Sequence, residues 1–225
     1  MIEVFYPDGA PIMESELLQK LESKSITKKE LLQMVKHDFS LLPEVLNGVS
    51  SSKAAIRYGC AKVLMDLSEE HPKKLYPYMG FFIALLDSRY RILTWNAMAI
   101  LANLAKVDVD KKFDVVFNKY YSYLNDAYMV TVANVVGNSA KIALAKPYLI
   151  QKITNELLKV ENISTTPHLT EECTRVIAEQ AIKSFAAFFD KIEQKEKVVS
   201  FASRYLNSSR KTLKKAAEEF VTKFS

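Results

Sequence analysis

Residues of the types that carry most protein chemistry are few and far apart in this sequence. There are two cysteines, Cys60 and Cys173, and three histidines, His37, His71 and His168. The cysteines fit no metal-binding or redox spacing, and no histidine lies in a metal-ligand or catalytic motif. We therefore predict no metal site and no cofactor, and we interpret the cysteines as small buried hydrophobic residues.

The carboxylates lack an arrangement that suits acid–base catalysis. Glu69-Glu70, Glu171-Glu172 and Glu218-Glu219 are adjacent pairs. Neighbouring residues on a helix diverge by about 100°, so the two carboxylates of a pair would not face one substrate. A Gly-rich phosphate loop and a nucleophile elbow are also missing from the sequence. These observations predict that the protein is not an enzyme.

Lysines and tyrosines on alternate predicted helices are better candidates for function. Converging lysines would form an electropositive groove for an acidic protein segment or for nucleic-acid phosphates, and exposed tyrosines are favoured at protein interfaces. Tyr120, Tyr121 and Tyr123 spread around their helix, so they cannot all face the core. Ordinary solvation and the sealing of gaps between helices remain open alternatives. The candidate partner-binding residues are Lys73, Lys74, Tyr78, Lys112, Lys119, Tyr121, Lys152 and Lys197.

The helices that must position these side chains recur at regular intervals. Five glycines and seven prolines are too few for the many turns of an all-β fold. Apolar stripes with helical spacing begin at Ile56, Leu93, Tyr128 and Thr174, which are 37, 35 and 46 residues apart. Another amphipathic helix lies between successive stripes. Repeated pairs of amphipathic helices predict an α-solenoid, in which each pair buries its apolar face against its neighbours.

The predicted architecture is all-α: a right-handed α-α superhelix of about five helix pairs in one domain. The domain comprises residues 1–26 as an N-terminal arm and capping helix, 27–208 as helical-hairpin repeats and 209–225 as a C-terminal capping helix.

Helix starts can be predicted at two places. Thr27 and Glu30 have the spacing of a capping box. Thr166 and Pro167 are predicted as the N-cap and first position of the helix that follows the irregular segment 160–170. This segment explains the longest repeat spacing, and it is either a binding element or a simple insertion.

Small polar residues recur at one phase of the long helices, inside otherwise apolar runs. A buried polar group without a partner costs about 1–3 kcal/mol, so each such residue must find one. We predict a polar ladder in which each side chain bonds to the adjacent repeat, with exposed binding of a partner's backbone as the alternative. The ladder residues are Asp66, Asn103, Asn138 and Ser184.

Short stretches of the sequence resemble HEAT and armadillo repeats. In "IRYGCAKVLMDLS", Ile56-Arg57, Cys60 and Leu64 take the places of the HEAT pattern. "AILANLA" and "NVVGNSA" are similar to the armadillo pattern, with Asn103 and Asn138 at the Asn that grips an extended peptide and other residues in place of its aromatic. The resemblance covers residues 27–225. It implies a scaffold or adaptor that works by binding.

The predicted function is a non-catalytic binding module or scaffold that engages a protein or peptide on the second-helix face, which we expect to be concave. The alternative is a nucleic-acid-binding HEAT-like protein that uses its lysines, with a HEAT-like DNA glycosylase as a remote variant because Trp95 is the single tryptophan. The net charge is +5, and residues 183–225 carry ten basic and five acidic residues. Self-association remains open.

We expect a cytoplasmic protein without a membrane partner. The first residues do not combine a basic region with a long apolar run, as a signal peptide would. No apolar stretch approaches the roughly 18 residues of a membrane span.

Overall fold

The computed structural model describes residues 15–225, and the thirteen α-helices in that range are joined by turns, by 3₁₀ segments and, between α10 and α11, also by the irregular segment 163–170. Within the described residues the β-structure is limited to one isolated bridge, between Thr166 and Leu169. The all-α class predicted from the sequence is confirmed. Residues 1–14 of the predicted N-terminal arm lie outside the described residues.

The chain divides into two compact units, Met1–Leu104 and Ala105–Ser225. In the described part of the first unit the longest helices are α4 and α7. Its helices are α1 (Glu16–Glu22), α2 (Lys28–His37), α3 (Leu42–Gly48), α4 (Ala54–Glu70), α5 (Pro72–Leu75), α6 (Met79–Ala84) and α7 (Arg91–Leu104).

In the second unit, α9 and α11 are the longest helices and pack against each other. The helices are α8 (Lys112–Ser122), α9 (Met129–Ala145), α10 (Ile150–Leu158), α11 (Glu171–Phe188), α12 (Lys195–Ser203) and α13 (Lys211–Phe224). Helix α13 is the predicted C-terminal capping helix, and it packs on α11 and α12. The division into one repeat domain with two caps stays a prediction.

The apolar stripes form the core, as their spacing predicts. In α4 the stripe from Ile56 to Leu67 is inaccessible to solvent, and the corresponding stripe of α7, from Leu93 to Leu104, is buried as well. The stripes of α9 and α11 are buried except for their first residues, Tyr128 and Thr174, which are partly exposed. Burial of apolar surface at this period is the main term that holds neighbouring helices together.

Local signals determine one of the two predicted helix starts. The Thr27 N–H donates to Glu30 Oε2 at 2.7 Å and the Glu30 N–H donates to Thr27 Oγ1 at 3.2 Å, so the predicted capping box is confirmed. The N-cap prediction for Thr166 is wrong, because α11 begins after Thr170, whose hydroxyl accepts from the Cys173 N–H. The Thr166 hydroxyl donates instead to the Ala127 carbonyl at 2.6 Å, a contact 39 residues away.

Arg57, the arginine of the HEAT-like pattern, is almost completely buried at the start of α4. Its guanidinium donates to the Ser51 and Ser52 carbonyls at 2.9 and 3.0 Å and lies 3.8 Å from the centre of the Tyr90 ring. The arginine thereby joins the turn before α4 to the segment before α7, a contact that combines charge-assisted hydrogen bonds with a cation–π interaction.

Candidate functional site

The lysines singled out in the sequence lie on four different helices, α5 in the first unit and α8, α10 and α12 in the second. Lys73 and Lys74 are exposed in α5, and the Lys74 ammonium lies 5.0 Å from the centre of the Phe39 ring. Lys152 and Lys197 are exposed in α10 and α12. The remaining candidate cations, both in α8 and partly buried, are Lys112, which pairs with Asp110 at 3.4 Å, and Lys119.

The tyrosines differ from one another more than their spacing suggests. Tyr78 is partly exposed, but Tyr120 and Tyr121 are both buried in the core of the second unit. The Tyr121 hydroxyl donates to Ser139 Oγ at 3.1 Å, and burial raises the pKa of this phenol. The partner-binding role predicted for Tyr121 is therefore wrong, because the side chain joins α8 to α9 and presents no surface to a partner.

The four predicted ladder residues make contacts of three kinds. Asn103 Nδ2 donates to Ser68 Oγ in α4 at 2.9 Å, and Ser184 Oγ donates to the Val136 carbonyl in α9 at 2.9 Å. Both bonds join neighbouring long helices. Asn138 donates to the Asn134 carbonyl in its own helix and also bonds with the Tyr120 phenol of α8.

Asp66 departs from the predicted ladder. It is partly exposed and pairs with Lys62, one turn earlier in the same helix, at 2.6 Å. A carboxylate on an open helix face reaches a flexible lysine more readily than a buried partner. The interhelical contact predicted for Asp66 is therefore corrected to an intrahelical ion pair.

Replacing Asn103 with leucine should lower the free energy of unfolding by about 1 kcal/mol, because a buried hydrogen bond between α7 and α4 is lost. Ser68 retains the Met65 carbonyl as its acceptor at 2.6 Å. A double-mutant cycle with Ser68→Ala, measured by urea denaturation, should give a coupling energy of about 0.5–1 kcal/mol. Unchanged or higher stability of Asn103→Leu would show that the amide contributes nothing.

The surface where α9 and α11 lie side by side contains an unusual polar group. Gln180 Oε1 is shielded from solvent, and no hydrogen-bond donor reaches it from residues 15–225. It lies beside Gly137 of α9, where an added Cβ would be 3.6 Å from this oxygen. Buried acceptors are almost always paired, so an orphaned one next to an exposed glycine indicates a place where a bound group can donate.

Other groups on the same two helix faces complement this acceptor. Asn134 lies one turn before Asn138, is partly exposed, and donates to the Val130 carbonyl at 2.8 Å. On α9, Val130 lies four residues before Asn134 and Lys141 lies seven residues after it, so both share a helix face with Asn134. On α11, Val176 lies four residues before Gln180, as Val130 does before Asn134, and Lys183 lies three residues after Gln180. We call Asn134, Gln180, Gly137 and these four flanking residues the amide surface.

Sequence reasoning missed Gln180 and Gly137, although a signal for them exists. Asn134 and Gln180 each stand four residues before a predicted ladder residue, Asn138 and Ser184. Two long polar amides at equivalent places of successive repeats mark a surface that can bond to a main chain.

A buried ion pair lies elsewhere in the second unit. Lys146 Nζ is 2.9 Å from Asp108 Oδ2, with both side chains almost inaccessible, and it donates to the Tyr148 hydroxyl at 3.0 Å. Asp108 also accepts from the Lys112 and Phe113 N–H groups at 2.8 and 2.9 Å, which caps the start of α8. Desolvation opposes the charge of Lys146, but the hydrogen bonds to Asp108 and Tyr148 outweigh it and raise its pKa.

A second charged network joins α11 to the start of α13. Glu179 accepts from Lys183 and Thr212, both at 2.6 Å, and from Arg210 Nε at 3.2 Å. Desolvation acts to raise the pKa of Glu179, but these hydrogen bonds outweigh it and the pKa is lowered. Arg210 also bonds to Glu172 at 2.5 Å. Every charge of this network has a partner, which is typical of a structural contact.

The groups that would support other chemistry are inert or dispersed. Burial raises the pKa of the Cys60 thiol to about 12, so this cysteine stays protonated near neutral pH. Cys173 is partly exposed and lies beside Thr170. Among residues 15–225 no three His, Cys, Asp or Glu side chains come together as a metal site would require. Nor does any helix in that range have the length and apolar character needed to cross a membrane.

The paired helices, their buried stripes and the contacts between successive long helices define an α-helical repeat protein. The solenoid class predicted from the sequence is confirmed by similarity to known structures.

The chain is similar in structure to a designed armadillo repeat protein, YIII(Dq)4CqI, with a TM-score of 0.64, 18% sequence identity and coverage of 96% of both chains. It is also similar to a designed armadillo repeat protein in complex with the peptide (KR)4, with a TM-score of 0.65, 17% identity and coverage of 92% of this chain and 91% of the other. An engineered protein is similar at a TM-score of 0.55 and 13% identity, with coverage of 94% and 88%. No family model and no curated protein sequence matches the chain.

Proposed function

We propose that this protein is a non-catalytic binding module that holds an extended segment of a partner protein on the amide surface of α9 and α11. The orphaned acceptor Gln180 Oε1 beside Gly137 is the observation that carries this proposal. Glycine leaves room for a main chain to approach, and rotation of the Gln180 side chain would present its oxygen to a peptide N–H.

Further support comes from the chemistry around the two amides. An amide side chain both donates and accepts, so Asn134 and Gln180 can bond to successive peptide groups of an extended segment. Val130 offers apolar contact, since it is 44% exposed. Lys183 favours a carboxylate on the bound segment, although it shares its charge with Glu179. The partner segment would therefore combine apolar and acidic side chains.

The fold agrees with this function. A repeat protein presents a long row of equivalent surface positions, which suits an extended partner. One of the structural neighbours is described in complex with a peptide. The second-helix face, with Lys152 and Lys197, is the other candidate binding face and forms the second arm of the test.

Selection of a random-sequence peptide library on the intact chain, followed by fluorescence polarisation with the selected peptides, tests the proposal. The double variant Asn134→Ala/Gln180→Ala should weaken binding about tenfold or more, which corresponds to the loss of one or two hydrogen bonds. Asn118→Ala/Lys152→Ala, on exposed positions of α8 and α10, is the matched control and should bind like the parent. The reverse pattern would move the site to the second-helix face and overturn the proposal.

Nucleic-acid binding through the exposed lysines stays a prediction. It can be tested with the same intact chain. It requires retention on a polyanionic resin at low salt and a steep loss of affinity as salt is added, because phosphate binding releases counterions. The alternative that the protein is a HEAT-like DNA glycosylase also stays a prediction.

A further inference from the structure

An open apolar groove in the first unit lies between α1, α2 and the start of α4. It has a volume of about 720 Å³, and its floor includes the side chains of Leu21, Ile26, Ala54, Ala55 and Tyr58. Ala54 and Ala55 are exposed, and Ile26 and Tyr58 are partly exposed. Accessible apolar groups that are gathered in one concavity, rather than scattered singly, are typical of a binding surface.

Packing within the first unit fixes the walls of the groove. Helices α1 and α2 both pack on α4. Gly59 lets α1 come close, since an added Cβ would lie 2.8 Å from Leu21 Cδ2. The Tyr58 ring makes an edge contact with Tyr90, with ring centres 6.4 Å apart, and the Arg57 guanidinium lies 4.7 Å from its centre. A partner would therefore meet a preformed surface, which lowers the entropic cost of binding.

The rim of this groove is basic. Lys24, Lys28 and Lys29, which we call the basic rim, are exposed, and none of the three forms an ion pair with residues 15–225. The nearby carboxylates are engaged elsewhere: Glu22 pairs with the N-cap residue of α4, and Glu30 closes the capping box. The groove therefore favours an occupant that carries carboxylates beside an apolar surface.

The lysines of the basic rim occupy backbone positions that do not favour lysine. Lys24 has a φ of 62°, the left-handed conformation after a helix C-cap in which glycine is preferred. Lys28 and Lys29 are the first two residues of α2, where the helix dipole favours acidic side chains. Departures from local preference are expected at functional sites, so these positions support a role in binding.

The side chains of the groove favour a helical occupant over an extended one. Apart from the basic rim, they offer only the hydroxyls of Thr27 and Tyr58, and the Thr27 hydroxyl already accepts from the Glu30 N–H at 3.2 Å. These groups are too few to pair the main chain of an extended segment, whereas a helix pairs its N–H and C=O groups internally. An amphipathic helix laid in an apolar groove is a common mode of peptide recognition.

We propose that the groove between α1, α2 and α4 is a docking site for an acidic amphipathic helix of a partner protein. The apolar stripe of that helix lies on Leu21, Ala55 and Tyr58, and carboxylates beside the stripe pair with the basic rim. This proposal is independent of the amide surface, which belongs to the second unit and is proposed to hold an extended segment.

Fluorescence anisotropy with model helices and the intact chain tests the docking. The probe is a labelled, hydrocarbon-stapled peptide of about 14 residues, or four helical turns, with leucine and phenylalanine along one stripe and glutamate on both sides of it. One control peptide has lysine in place of glutamate. A second has the same composition as the probe in an order that forms no stripe. The probe should bind at least tenfold more tightly than either control.

Charge reversals in the chain locate the bound helix. Lys28→Glu/Lys29→Glu should weaken probe binding about tenfold and strengthen binding of the lysine-flanked peptide, while the fold is kept because a helix start tolerates glutamate. Lys195→Glu/Lys197→Glu, at the start of α12, is the matched control and should leave both affinities unchanged. Ala55→Asp, in the first turn of α4, places a charge on the apolar floor and should abolish probe binding.

Several results would overturn the proposal. They are equal binding of the three peptides, equal effects of the two charge reversals, and unchanged binding in Ala55→Asp. Binding of the chain to phosphatidylserine vesicles without binding of the probe would identify the basic rim as a membrane contact instead. Loss of probe binding in Asn134→Ala/Gln180→Ala would place the helix on the amide surface.

Discussion

Replacing Lys146 with methionine lowers the free energy of unfolding by about 3–5 kcal/mol, because the substitution leaves the Asp108 carboxylate buried without its cation. The Tyr148 hydroxyl loses a donor at the same time. Methionine fills nearly the same volume as the lysine stem, so the change tests the charge rather than the packing. The loss is measured by urea denaturation followed by circular dichroism.

Two further variants separate the ion pair from a general effect of losing a lysine. Lys152→Met, on the exposed face of α10, should change stability by less than about 0.5 kcal/mol. In the double variant Lys146→Met/Asp108→Asn the buried charge is gone, so the combined loss should be smaller than the sum of the single losses by more than about 1 kcal/mol. Strict additivity would mean that the two side chains contribute independently.

The charge of Lys146 also sets a direction for the pH dependence. Its raised pKa means that the ion-pair contribution is fully present below the ordinary lysine value of 10.5 and is lost as the pH rises through the folded-state value. The ion pair between Lys146 and Asp108 is therefore intact across the neutral range.

Replacing Glu179 with alanine should cost about 2–3 kcal/mol at neutral pH, the second-largest effect that we expect. Three charge-assisted or hydroxyl hydrogen bonds end on this carboxylate, and two of them come from residues at the start of α13. Their removal should loosen the packing of α13 on α11. Glu218→Ala, in an exposed pair at 3.7 Å on α13, is the control and should cost little.

The same carboxylate should make the protein sensitive to acid. The pKa of Glu179 is lowered in the folded state from 4.5, so its contribution is present above about pH 4.5 and is lost as the pH falls through the folded-state value. The difference in unfolding free energy between the parent and Glu179→Ala should consequently shrink in that acidic range. A difference that stays constant down to the acid transition would contradict the role of the ionised carboxylate.

The sequence predicts correctly whatever depends on periodicity or on a few adjacent residues. The stripe of α4 that begins at Ile56 is buried because an apolar face with a period of 3.6 can be dried only by packing against another helix. The Thr27–Glu30 capping box forms because both partners belong to the same helical turn. These local and periodic terms determined the helices, their buried faces and the repeat class.

The candidate sites depend on residues that are distant in sequence, and here the tertiary structure decided. Whether Tyr121 is a binding residue or a core residue depends on the position of Ser139 in the next helix. Thr166 is drawn away from the helix start by the Ala127 carbonyl, 39 residues earlier. Nothing in the local sequence of either residue encodes these partners.

Glycine and lysine illustrate the physical reason for this division. From the sequence alone, Gly137 would only lower the stability of α9 slightly, but packing places Gln180 beside it. Lys146 would be expected in solvent, but in the fold its ammonium lies 2.9 Å from the Asp108 carboxylate. The sequence by itself determined which surfaces must be dry, because burial follows the helical period. Only the tertiary structure decided which polar groups meet on and between those surfaces, because a hydrogen bond or an ion pair requires two particular groups within about 3 Å.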